Sequence, residues 1–183
     1  SKRENSLEKV LYTPNRTRFL DDVNRPQYHL IEPEKWMNEP HAPFFFNGYY
    51  HIFYQANLHA PIWDSIQWGH LASKDMVHWQ DLPLALQSEK GFYDELGCWS
   101  GSGLVDKDGV PRIYYTAGNS NRFPNQAVAL AQPEDTEEDP LLKKWKKYPS
   151  LIKEQDIGWL GEFRDPFVWI ENDSYFMLVD TGD

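Results

Sequence analysis

Phe44-Phe45-Phe46-Asn47-Gly48-Tyr49-Tyr50-His51-Ile52-Phe53-Tyr54 reads as a β-hairpin. Asn-Gly between two apolar runs is the strongest short hairpin signal, because a type I′ turn needs positive φ at both central residues. The pattern recurs twice. Leu104-Val105 and Ile113-Tyr114-Tyr115-Thr116 flank Asp108-Gly109, and Phe167-Val168-Trp169-Ile170 and Tyr175-Phe176-Met177-Leu178-Val179 flank Asn172-Asp173. The turns stand roughly 61 and 64 residues apart, a period that marks a structural repeat.

A second element supports the repeat. After the first hairpin come Gly69-His70-Leu71-Ala72-Ser73, a turn at Lys74-Asp75, and Trp79. After the second come Val128-Ala129-Leu130-Ala131, an acidic turn at Glu134-Asp135, and Trp145. Each unit reads as a hairpin, a third strand and a fourth strand carrying a Trp. Four-stranded units repeated radially describe a propeller. Two units and the first two strands of a third fit in residues 26–183, an incomplete propeller domain. Residues 1–25 lack periodicity and read as an irregular leader. An all-β sandwich with fortuitous spacing is the competing fold.

Composition narrows the function classes. The chain has 183 residues, enough for one domain with a real core. No stretch approaches the ~20 apolar residues of a membrane span, and residues 1–18 hold no signal-peptide apolar region. The single cysteine, Cys98, forms no internal disulfide. These features favour a cytoplasmic over a secreted location without deciding it. The net charge of −10 opposes a nucleic-acid partner. Lys143–Lys147, following the acidic run Glu134–Asp139, reads as a solvated loop and edge strand. Of six histidines, His41, His51, His59 and His70 match no zinc spacing. His51 and His70 read as hydrogen-bonded core or pocket residues, and no metal or cofactor is expected. Eight Trp, ten Tyr and ten Phe suit a β core, but aromatic faces also stack on sugar C–H faces.

Four segments sharpen this reading. The first is Arg25-Pro26-Gln27-Tyr28-His29-Leu30 with Trp36-Met37-Asn38-Glu39-Pro40. The second runs through Phe53-Tyr54-Gln55, Trp63, Trp68-Gly69-His70 and Ser73-Lys74-Asp75-Met76-Val77-His78-Trp79. The third is Trp99-Ser100-Gly101-Ser102 and the fourth Glu162-Phe163-Arg164-Asp165-Pro166. In order and spacing they resemble glycoside hydrolase family 32, the invertases, inulinases and levanases, from about Arg25 onward. The resemblance implies a five-bladed β-propeller that cleaves β-fructofuranosidic bonds in sucrose or fructans.

Such a bond breaks through an oxocarbenium-like transition state, and a retaining mechanism needs a carboxylate nucleophile and a carboxylic acid. Carboxylates at equivalent positions of successive blades converge on one funnel. By resemblance, Glu39 takes the nucleophile position and Asp165 that of the transition-state stabiliser. Asn38, Gln55 and Ser100 match fructosyl-binding residues, Trp36, Trp63 and Trp99 match aromatic walls, and Arg164 can pair with a pocket carboxylate. Trp68, Trp79 and Trp145 read as core or inter-blade packing.

The sequence departs from the family at Glu39, where the family carries Asp. The extra methylene moves the attacking oxygen by about 1.5 Å on an unchanged backbone, and misplacement by ~1 Å can cost ~100-fold in rate. His41 and Ala42 replace the Asn-Gly that commonly follows. The family's general acid, the Glu of a downstream Glu-Cys motif, has no match here; Glu162 and Asp183 are the nearest candidates for a substitute, but neither fits that motif. The 183 residues alone are therefore expected to be inactive. Three readings compete with hydrolysis: a non-catalytic carbohydrate-binding relative, a fructosyltransferase, and a related propeller family acting on arabinosides. The open propeller edge predicts self-association.

Overall fold

Each predicted hairpin forms. β1 (Trp36–Phe46) pairs antiparallel with β2 (Tyr49–Asn57), followed by β3 (Gln67–Ser73) and β4 (Trp79–Leu86) in a four-stranded meander. β5 (Gly97–Val105), β6 (Pro111–Gly118), β7 (Gln126–Pro133) and β8 (Trp145–Lys153) repeat the arrangement. β9 (Arg164–Glu171) and β10 (Ser174–Asp180) form a third hairpin. The computed structural model describes residues 11–26, 28–120, 125–153 and 162–181, without the side chains of 149–151 and 153. Asp183 lies outside the described residues. The chain is all-β, with two blades of a propeller and the opening hairpin of a third.

Turn chemistry explains the hairpins. Asn47 and Gly48 have φ of 47° and 79°, and Asn172 and Asp173 of 47° and 64°, the positive pairs a type I′ turn requires. The middle hairpin differs. Only Gly109 of its Asp108-Gly109 pair is left-handed, at 77°. Here the Asp106 side chain accepts from the Asp108 and Val110 N–H groups, and its backbone N–H donates to the Val110 carbonyl. The loop is longer than a two-residue turn because a side chain organises it.

The main core lies between the first two blades. Phe53 and Trp68 of the first blade pack with Ile113, Tyr115, Ala117, Ala129 and Ala131 of the second, all fully buried. Small alanines stand beside large rings in this cluster, so the blades interlock. Trp145, at the start of β8, crosses the gap edge-on to Phe53 at 5.7 Å between centroids. Trp68 is fully buried, and Trp79 packs against a second cluster of Tyr54, Ala56 and Leu71. His51 and His70 are buried together, with Nδ1 of the first 2.9 Å from Nε2 of the second.

Lys147 corrects one expectation. β8 is an edge strand, but this lysine is not solvated. Its ammonium lies 2.8 Å from Asp94 Oδ2 and 3.2 Å from Glu89, and donates to the Gln87 carbonyl at 2.6 Å. Asp94 is fully buried and also accepts from Tyr115 Oη at 2.8 Å. The charge serves a buried network that ties β8 to the segment entering β5, because a buried carboxylate must be paired. Before β1, Tyr12 accepts from the Leu84 N–H at 2.9 Å, and Arg16 pairs with Asp81 at 2.7 Å, laying this segment along β4. Among the described residues no helix is long and apolar enough to cross a membrane.

Candidate active site

The first strand of every blade carries a bulge at corresponding places. On β1 the register passes from Met37↔Ala56 to Pro40↔Tyr54, so Asn38 and Glu39 together oppose Gln55. On β5 it passes from Trp99↔Thr116 to Gly101↔Tyr115, leaving Ser100 as the extra residue. On β9 a shift between Leu178 and Asp180 places Asp165 and Pro166 opposite Val179. An extra residue bends the strand and re-aims its side chain. Glu39, Ser100 and Asp165 thus all turn toward one cavity of about 380 Å³. Gly101 is required beside the second bulge, since a Cβ there would lie 1.9 Å from the Tyr114 carbonyl oxygen.

The cavity is lined by Asn38, Glu39, Gln55, Trp63, Trp99, Ser100, Arg164 and Asp165, eight of the nine residues singled out from the sequence. Trp36 is the exception. It opens β1, half-buried and opposite Asn57, outside this lining. Gln126 and Glu162 complete the wall. Glu162 stood in the sequence as part of the fourth motif and as a carboxylate that does not fit the acid motif. Gln126 opens β7, and nothing in its local sequence marks it.

One wall is a directed chain of hydrogen bonds. A carboxylate only accepts, so the Ser100 hydroxyl donates to Glu39 Oε1. Ser100 then accepts from Gln55 Nε2. That turns Gln55 Oε1 toward Asn38 Nδ2, at 3.4 Å. Trp63 and Trp99 form the aromatic wall, with centroids 5.6 Å apart and planes at 50°. The buried Asn57 side chain shapes the loop carrying Trp63, accepting from the His59 and Ala60 N–H groups and donating to the Ile62 carbonyl. Gly97 and Gly118 leave room for the Trp99 ring, because a Cβ on either would fall 2.7 Å from it.

The opposite wall is ionic. Arg164 Nη1 lies 2.8 Å from Glu162 Oε2, and its Nε lies 3.6 Å from Asp165 and 3.5 Å from Asp180. Gln126 donates to Glu162 at 2.5 Å and accepts from the Phe163 N–H at 3.1 Å. Asp165 holds φ of 54° before a proline, a strained position for a non-glycine residue. Its N–H donates to Thr116 Oγ1 at 2.8 Å.

The two carboxylates are driven apart in acidity. The neighbouring His41 ring, then the Ser100 hydroxyl, lower Glu39 below its ordinary value against partial burial. His41 Nδ1 stands 3.8 Å from Glu39 Oε1, too far for a formed hydrogen bond, so Ser100 is the direct donor. Partial desolvation raises Asp165, Arg164 opposes this, and Asp180 and Glu39 add to the rise. Divergent carboxyl environments are the mark of divided chemical labour. His41 itself is buried 3.9 Å from the Trp68 ring, with neither ring nitrogen hydrogen-bonded. Ala42 holds φ of 51°, a conformation glycine adopts more readily.

Comparisons with known proteins agree with this geometry. The model of the family described as "Glycosyl hydrolases family 32 N-terminal domain" matches residues 29–183. An acid beta-fructofuranosidase of Vicia faba is 43% identical over 159 residues, 85% of this chain and 24% of that protein. The chain thus spans about a quarter of the length of the curated relatives it matches. A solved structure of fructan 1-exohydrolase IIa from Cichorium intybus, in complex with 1-kestose, superposes with a TM-score of 0.74 at 34% identity. That match covers 85% of this chain and 29% of the other. A Bombyx mori GH32 beta-fructofuranosidase in complex with sucrose gives 0.68 at 27% identity, covering 86% and 32%. The chain belongs to glycosyl hydrolase family 32, with residues 29–183 matching the family's N-terminal domain.

Proposed function

We propose that this chain supplies the fructosyl-binding part of a retaining β-fructofuranosidase acting on sucrose or fructans. The observation that carries it is the meeting of Glu39 and Asp165, from two different blades, in one cavity with a Trp pair and an amide–hydroxyl chain. Glu39, kept ionised, attacks the anomeric carbon. Asp165 holds sugar hydroxyls as charge develops on the ring. Asn38, Gln55, Ser100 and Arg164 bind further hydroxyls, and Trp63 and Trp99 stack on the sugar face. Leaving-group protonation is assigned to no described residue. Glu162 Oε2 already accepts from Gln126 and Arg164. The bound 1-kestose and sucrose of the related structures support the substrate class.

The test is reducing-sugar release from sucrose, inulin and levan by the full-length protein, with loss on Glu39→Gln. A full-length protein that binds these sugars without cleaving them establishes the second reading, a non-catalytic relative. Glu39 in place of the family's Asp favours that reading.

We take residues 26–183 as the propeller portion and 1–25 as a leader, supported by the Tyr12 contact with β4. Self-association is supported by Phe167 and Leu178, about 58% and 64% exposed on the third hairpin. A clean monomer in sedimentation overturns it.

A further inference from the structure

Thr116 lies on β6, fully buried, outside the cavity lining. Its hydroxyl touches the backbone of two site residues. It accepts from the Asp165 N–H at 2.8 Å, which leaves its own hydrogen for the Ser100 carbonyl oxygen at 3.0 Å. The polarity is forced, because a backbone N–H only donates and a carbonyl only accepts. Both contacted residues are bulge residues, removed from regular strand pairing where they turn into the cavity. Asp165 is also held at φ of 54°. A strained conformation persists only where its surroundings over-determine it. This hydroxyl bonds the N–H of that residue and spans the seam between the second and third blades.

We propose that Thr116 is a positioning residue for the reaction. One buried hydroxyl fixes the separation between the Ser100 bulge, which orients Glu39, and the Asp165 bulge. The role rests on the fructosidase reading above. Removing the hydroxyl loosens one carboxylate relative to the other, and a misplacement of ~1 Å is enough to cost ~100-fold in rate.

The experiment uses the full-length protein and compares wild type with Thr116→Val, Thr116→Ala and Thr116→Ser on sucrose and inulin, each first checked by thermal melting. Valine keeps the shape without the hydroxyl, and alanine leaves room for a water should valine not fold. The expected result is a kcat about 10- to 100-fold lower for either, with KM within about threefold, and recovery to within about threefold of wild-type kcat for serine. Folded valine or alanine variants with wild-type kcat overturn the positioning role while leaving the fructosidase reading intact. So does a serine variant as slow as valine. A wild type that hydrolyses neither sugar overturns both.

Discussion

The Ser100 hydroxyl donates to the Glu39 carboxylate across 61 positions of sequence and the boundary between two blades. This contact accommodates the longer glutamate. Its oxygen is met by a donor that itself accepts from Gln55.

Shortening Glu39 therefore harms it. Glu39→Asp withdraws the carboxylate from Ser100 by about 1.5 Å, and kcat of the full-length protein on sucrose falls about 10- to 100-fold. Steady-state kinetics check this. An aspartate variant faster than wild type shows that the glutamate is a misfit.

Ser100→Ala removes a donor that favours the charged form of Glu39. Glu39 is held below its ordinary value, so it stays ionised through the working range. Losing the donor raises it, and the acid limb of the kcat/KM profile moves to higher pH. A profile measured from pH 3 to 7 checks the direction. An unmoved acid limb assigns that limb to another group.

His51 and His70 set an acid limit on stability. Burial holds His51 down at about 4 and His70 well below its ordinary value, so both are neutral when folded. Unfolded histidines bind protons near 6.5, so the unfolded state gains protons first as pH falls. Stability is fully present above about pH 6.5 and declines toward pH 4. Urea midpoints measured across this window fall with pH in wild type and fall less in His51→Gln.

Gly101→Ala places a methyl group 1.9 Å from the Tyr114 carbonyl oxygen, a backbone atom that cannot swing away. The bulge must shift, at a cost of about 3 kcal/mol or more. Chemical denaturation reads this loss. Gly48, with open space around its Cβ but φ of 79°, marks a milder site, and Gly48→Ala costs about 1 kcal/mol.

Much of this was legible in the chain. Asn47-Gly48 and Asn172-Asp173 state their turns locally, because positive φ at two successive residues excludes most side chains. The spacing of those turns counted the blades, since each blade is one meander of nearly constant length. The site residues were legible through ordered motifs, which place Glu39, Ser100 and Asp165 at corresponding points of three units. Lys147 was misread because its sequence neighbours are charged, whereas its partners, Glu89 and Asp94, stand more than 50 positions away.

The sequence by itself determined strand order, turn chemistry and which residues could serve the site. Each follows from local sterics or from a period along the chain. The tertiary structure alone decided which of those residues meet. It excluded Trp36 from the cavity, brought in Gln126, and revealed the bulges that turn Glu39, Ser100 and Asp165 toward one cavity. A bulge is a mismatch between two strands, so neither strand's sequence records it alone. The hydroxyl of Thr116 bonds two such bulges across a blade seam, and it exists as a link only once the blades have packed.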